Sequence, residues 1–335
     1  MTPAPPKKSV PRSERGAALI TVLFMVTVMA ALSVSLFDQV RFDILKTQSR
    51  QLSVQARWFA VGAEQLAVKV LQESIGLSPE RTTLNDPWAV MESRFPIPGG
   101  FIDGKLSDAG NCFNINSLVS QSESQELEPN EATSAQLITL LLALEIDETT
   151  AEEIAGRLTD WVDSDTQASD RGAEDFDYLA LSPAYRTANT FMHDTTELRA
   201  IDGMTPALSR LIQPVLCAQP STDPSLININ TLPVERAALL VMLTDGEMPL
   251  DTAISVLQQR PVVGWATVDE FLALPAFSET PVPATGTDLL TLKSRYFTLN
   301  TVVAIEDALV QLETRFDADQ PNRIKLLSRR FGEDV

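Results

Sequence analysis

Between Asp160 and Asp177 the chain carries Asp160, Asp163, Asp165, Asp170, Glu174, Asp175 and Asp177 against one basic residue, Arg171. Carboxylates this dense repel one another unless cations or hydrogen-bond donors compensate them. Calcium takes about six to eight oxygens at long, flexible distances, which suits an Asp-x-Asp start (Asp163, Asp165), a later Glu-Asp pair (Glu174, Asp175) and turn carbonyls. The spacing departs from the EF-hand loop, because Gly172 comes too late and the ligands expected between Asp163 and Glu174 are missing. Asp163, Asp165, Glu174 and Asp175 are the expected calcium ligands, with Asp160, Asp170 and Asp177 as further candidates. The alternative is a solvated acidic loop in which some acids cap helices. Zinc is not expected where one His and two Cys are all the chain offers.

Catalysis by the same carboxylates lacks accompanying residues. Paired acids serve as general acid and base in glycoside and peptide hydrolysis, but the only histidine, His193, has no Gly-x-Ser-x-Gly elbow near it. The 14 glycines form no dinucleotide- or phosphate-cradling array. No enzyme activity is expected. The alternative from that class is a membrane-anchored, metal-dependent periplasmic hydrolase with the acidic loop as its active site.

Ser, Asp and Gly after Trp161 break the helical pattern and place the acidic residues on a loop. That loop lies inside an internal repeat. Asn111-Cys112-Phe113-Asn114-Ile115-Asn116-Ser117-Leu118 is echoed by Leu226-Ile227-Asn228-Ile229-Asn230-Thr231-Leu232. Later in each copy an acidic segment precedes a turn, Glu197 to Met204 and then Asp269 to Pro275. Two related α-helical subdomains follow, over 111–220 and 221–284. Helices are expected at 131–144, 150–162, 194–201 and 205–213 in the first, and at 233–243, 250–259 and 267–273 in the second. The helix-Gly-helix texture of Leu198 to Leu211 resembles helix-hairpin-helix modules. Asp194, Glu197 and Asp202 against Arg199 and Arg210 argue against a nucleic-acid partner.

Strand patterns flank the insert at 101–108, 296–305, 308–316 and 324–330, giving a sheet region over 76–110 and 285–335. Cys112 and Cys217 both lie beyond the membrane helix described next, in an oxidising compartment if the topology holds, so a disulfide is expected. It would constrain the unfolded chain by roughly 4 to 5 kcal/mol in the entropic account. Two unpaired buried thiols are the alternative.

Gly16 to Phe37 is the only long uncharged stretch, and it follows Lys7, Lys8, Arg12 and Arg15. Ala17 to Phe37 gives about 32 Å of helix, enough to span a bilayer. A cleavable signal peptide would have a shorter apolar run. The upstream cations favour a cytoplasmic N-terminus and export of everything after Asp38, a single-pass inner-membrane protein with a periplasmic body. No proline falls between Pro11 and Pro79, so the helix is expected to continue over 17–75, interrupted only at Gly62. The net charge is −19. An acidic exported body repels nucleic acid and anionic lipid, and favours cations.

Arg15-Gly16 before Ala17-Ala18-Leu19-Ile20 resembles the processing site of type IV pilins and type II secretion pseudopilins. The resemblance implies a leader over 1–16, removed by a prepilin peptidase between Gly16 and Ala17. The family glutamate at the fifth mature position is replaced by Thr21. An ordinary signal anchor with an incidental Arg-Gly is the alternative for this segment. The leader, the motif from Asn111 to Leu118, the Asp160 to Asp175 loop, Tyr185-Arg186-Thr187-Ala188-Asn189, Glu197-Leu198-Arg199 and Ile227 to Thr231 together resemble the general secretion pathway protein K family, the large minor pseudopilins of type II secretion. That likeness covers nearly the whole chain. It implies an α+β, type IV pilin-like fold, a long N-terminal helix plus antiparallel sheet with a large α-helical insertion. It also implies assembly with minor pseudopilins I and J at a fibre tip, calcium in the insert, and absence of the fifth-position glutamate. A minor pilin of a type IV pilus is the nearer alternative.

Overall fold

The computed structural model describes residues 12–90, 94–320 and 323–332; leader residues 1–11, with Lys7 and Lys8, lie outside them. One helix, α1 (Arg12–Leu77), runs unbroken because no proline interrupts it. Its 66 residues span about 100 Å. Gly62, expected as an interruption, is accommodated within the helix. From Leu19 to Leu45 the large apolar side chains of α1 are exposed, so the rest of the chain does not cover them. Packing begins at Ala56. Ala56, Ala60, Ala67, Val70 and Leu71 are buried at helical spacing, and the small alanines let α1 lie close on a sheet.

That sheet is antiparallel, in the order β1 (Arg94–Ile97), β2 (Gly100–Asp108), β3 (Tyr296–Ile305), β4 (Ala308–Gln320) and β5 (Arg323–Phe331). Alternate residues of β3 and β4, among them Phe297, Leu299, Val303, Val310, Leu312 and Phe316, pack against α1. Within this layer the buried Glu64 accepts from Arg329 at 2.6 and 2.8 Å and from Thr314 Oγ1 at 3.2 Å, pinning the helix to β4 and β5. The sequence reading misses β1 because Pro96 lies in it. A proline is tolerated there since β1 is the sheet's edge. β4 runs on to Gln320, past the expected end at Phe316, where Asp317 is held by Arg295 at 2.8 and 3.0 Å.

β2 and β3 pair from Gly100↔Ile305 to Asp108↔Phe297, although residues 109–295 separate them in sequence. That excursion is the helical insert, with its own large apolar core. Its longer helices are Glu131–Ala143, Glu148–Val162, Pro206–Ile212, Ala238–Leu243 and Leu250–Gln258. The segment expected as a helix at 194–201 is a 3-10 turn, Thr195–Ala200.

The repeated motif builds the same device twice. Phe113–Asn114 pairs in parallel with Leu216–Cys217, and Ile227–Asn228 pairs likewise with Leu290–Thr291. In each copy the first asparagine accepts from the N–H of the second, Asn116 or Asn230, which closes a turn. The second asparagine then accepts the N–H of one distant residue and donates to its C=O. That residue is Met192 in the first copy and Trp265 in the second. Both stand just ahead of the acidic segments, so one buried amide aligns the halves of each subdomain.

Insert and sheet meet at Asp108, the last residue of β2. Its carboxylate accepts from Gly110 N at 2.7 Å, from Asn111 Nδ2 at 3.1 Å, and from the hydroxyls of Thr231 and Ser294. Asn228 donates to Ser294 Oγ at 2.8 Å and to the carbonyl of Thr82 at 3.0 Å, bringing in the segment after α1. Beside this cluster Cys112 and Cys217 form a disulfide, which excludes the reading as two thiols. Asp108→Ala removes the acceptor of two hydroxyls and two N–H groups and is expected to lower unfolding free energy by about 3 kcal/mol. The urea midpoint of the detergent-solubilised chain reads this, and Asp108→Asn, which keeps an acceptor, is expected to lose less.

Candidate metal centre

The helix Glu148–Val162 forms because Ala151, Ile154, Ala155, Leu158 and Val162 share an apolar stripe and Asp147 caps its start, accepting from Thr150 N at 3.0 Å. It stops at Asp163, whose backbone is extended (φ −71°, ψ 173°). Asp165 Oδ1 then accepts from Gln167 N at 2.7 Å, turning the chain back. Both carboxylate oxygens of the buried Asp160 accept from Ser169 N, at 3.1 and 3.2 Å. At Gly172 the returning chain passes so close that a Cβ would lie 1.8 Å from Asp160 Oδ2. Only glycine fits there.

Beyond that passage Glu174 begins a short helix, Asp175–Leu179, where the sequence predicts continued loop. A capping box forms it: Glu174 Oε2 accepts from Asp175 N at 3.1 Å, and Asp177 Oδ2 accepts from Glu174 N at 3.1 Å. The result is that Asp163, Asp165 and Glu174 each present an oxygen within 4.8 Å of the other two. Asp163 Oδ1, Glu174 Oε1 and Asn189 Oδ1 are buried without a hydrogen-bond donor. Orphaned buried oxygens are costly, and several converging ones fit a hard cation. Burial first, and then the charges of Asp165, Asp160 and Glu174, push the Asp163 carboxyl up to about 7. Asp160 and Glu174 are raised as well, chiefly by burial.

Residues 111–221 and 227–293 match a family described as type II secretion system (T2SS), protein K. The chain is 36% identical to the type II secretion system protein K of Pectobacterium carotovorum subsp. carotovorum, over 95% of this chain and 97% of that one. It is 34% identical to the protein K of Aeromonas hydrophila, over 96% and 98%. The chain belongs to the type II secretion system protein K family. It is therefore a minor pseudopilin of that system, in a family of secretion components and not of enzymes. Among solved structures it resembles the GspK-GspI-GspJ complex of enterotoxigenic Escherichia coli, with TM-score 0.75 and 33% identity, covering 86% of this chain and 99% of that one. Its single N-terminal apolar helix fits a single-pass anchor in the cell envelope.

Of the acids singled out in this protein K chain, the fold brings together Asp163, Asp165 and Glu174. Asp160 lies beneath them as a brace for the loop. Asp175 turns away, bound by Arg186 Nη1 at 2.8 Å and by the N–H and hydroxyl of Thr187 at 3.2 and 3.1 Å. Asp170 is exposed and outside the group, and Asp177 is engaged in the capping box. Two participants are absent from the sequence-derived set. Thr187 Oγ1 donates to Glu174 Oε2 at 3.0 Å, and Asn189 Nδ2 donates to the carbonyl of Asp165 at 2.8 Å. Both belong to the Tyr185 to Asn189 segment, where only their place in a family motif signalled them.

With no cation bound, the folded chain keeps protons on these acids that the unfolded chain releases above about pH 4. The associated stability is fully present below that pH and is lost as pH rises through about 7, the value Asp163 reaches. A chelator-treated chain is therefore expected to melt lower at pH 7.5 than at pH 5, with Asp163→Asn flattening the difference. Melting that rises over this interval contradicts the assignment.

Proposed function

We propose that this minor pseudopilin forms the tip of the type II secretion pseudopilus together with minor pseudopilins I and J, supporting export of folded proteins from the periplasm across the outer membrane. The observation that carries it is the division of α1. Its first half is apolar and uncovered, as a fibre-core helix must be, while one face of its second half packs on the sheet of a head enlarged by residues 109–295. Such a head obstructs an equivalent subunit above it. Thr21 supports the same reading. Its hydroxyl donates to the carbonyl of Ala18 at 2.9 Å within its own helix, and it offers no carboxylate to the N-terminus of a neighbour. The solved relative of the same family is a complex with I and J proteins.

In this reading a prepilin peptidase cuts between Gly16 and Ala17, the basic leader stays cytoplasmic, and the head is periplasmic. Asp163, Asp165 and Glu174, with Asn189 Oδ1, hold Ca²⁺. The ion supplies charge neutralisation where burial otherwise opposes ionisation. Thr187, Asn189 and Asp160 keep the ligands in place, and the rigid loop in turn stiffens the head.

Two measurements test this. The full chain co-expressed with I and J proteins is expected to co-purify with both from detergent, and failure to do so overturns the tip assignment. Elemental analysis is expected to find calcium in the same preparation, and calcium at about one hundred times Kd stabilises by about 2.7 kcal/mol. Asp163→Asn or Glu174→Gln is expected to weaken calcium binding at least about tenfold, whereas Asp170→Asn is not. Melting unchanged by chelation contradicts the calcium site.

A further inference from the structure

Between the insert and the sheet, beside the disulfide, lies a cleft of about 410 Å³. Arg210, Arg236 and Arg315 line it, and no carboxylate among the described residues does. In a chain with 45 acidic and 26 basic residues, three guanidiniums around one cavity are a local reversal of the overall charge. Arg315 shares Asp194 and Glu313 at 3.6 Å each, both of which Arg330 also engages. Arg210 and Arg236 take part in none of the ion pairs among the described residues. Their bonds within the chain go to backbone carbonyls, Arg210 Nε to Pro206 at 3.0 Å and Arg236 Nη1 to Asn111 at 2.7 Å. Each guanidinium carries five N–H donors, so both keep donors to spare. Burial lowers the pKa of Arg236, and the nearby carboxylates of Asp108 and Glu235 offset this only in part.

We propose that this cleft binds an acidic polypeptide segment, its carboxylates paired by Arg210, Arg236 and Arg315. The apolar part of the lining, which includes Leu216 and Leu327, suits carboxylates on methylene stems better than a bare inorganic anion. The volume accepts a few residues of extended chain. Because the walls come from both the insert and the sheet, an occupied cleft braces one against the other at the disulfide.

The test titrates the full chain in a non-ionic detergent with end-blocked tetraglutamate, followed by calorimetry, against tetralysine and inorganic phosphate. Saturable tetraglutamate binding is expected, weakened about tenfold by Arg210→Gln, consistent with losing one charge-assisted hydrogen bond, and unaffected by Lys69→Gln on α1. Arg236→Gln is expected to behave like Arg210→Gln. The exposed Arg210 decides the matter if loss of the Asn111 contact unfolds the Arg236 variant. No saturable binding, equal weakening by Lys69→Gln, or phosphate binding as tight as the peptide would overturn the proposal.

Discussion

A single, partly buried carboxylate holds this architecture together. Two chain passages, one leaving β2 and one returning to β3, have to carry an insert larger than the sheet that bears it. Asp108 gathers both. Its donors come from the residues just after β2, from the second repeat through Thr231, and from the return through Ser294. Burying a carboxylate is unfavourable, as its raised pKa records, and hydrogen bonds are what lower the cost. The donors must therefore stay assembled, and with them the geometry of the junction.

The asparagine pairs extend the same principle into the insert. Asn116 and Asn230 each satisfy both polar groups of a distant residue's backbone, and a buried amide left half-bonded is unfavourable. This makes the two subdomains alike in mechanism although their helices differ in length and their apolar residues differ in identity. In the first, the aligned segment leads into the 3-10 turn Thr195–Ala200 and the helix Pro206–Ile212. In the second it carries the Trp265, Phe271 and Phe277 aromatic stack.

The acidic loop inverts this arrangement. At Asp108 the protein supplies donors in number, whereas one oxygen of Asp163 and one of Glu174 are left buried without a donor, in a group of three carboxylates that face one another. In the proposed reading an external cation stabilises the loop, as the protein's own hydrogen bonds stabilise the junction. The first half of α1, uncovered by any other described residue, requires covering in the same way, by lipid or by other helices.

Composition and local order were enough to reveal the long N-terminal helix, the long closing strands, the repeat and the acidic loop, because each is written in neighbouring residues: absence of proline, period-two alternation, recurrence of Asn-x-Asn, and charge density. Which acids converge was legible only in part: Asp163, Asp165 and Glu174 meet as expected, and Asp175 does not join them. Asp175 sits next to Glu174 in sequence, yet helix geometry turns it toward Arg186, while Asp163 and Asp165 meet Glu174 only because Gly172 lets the chain pass over Asp160. Thr187 and Asn189 reach the site across an intervening helix, and β1 is concealed by its own proline. Sequence by itself determined most of the elements, the apolar N-terminal helix and the acidic character of this protein; tertiary structure alone decided the partners of each buried polar group, since those depend on distances between segments that no local pattern encodes.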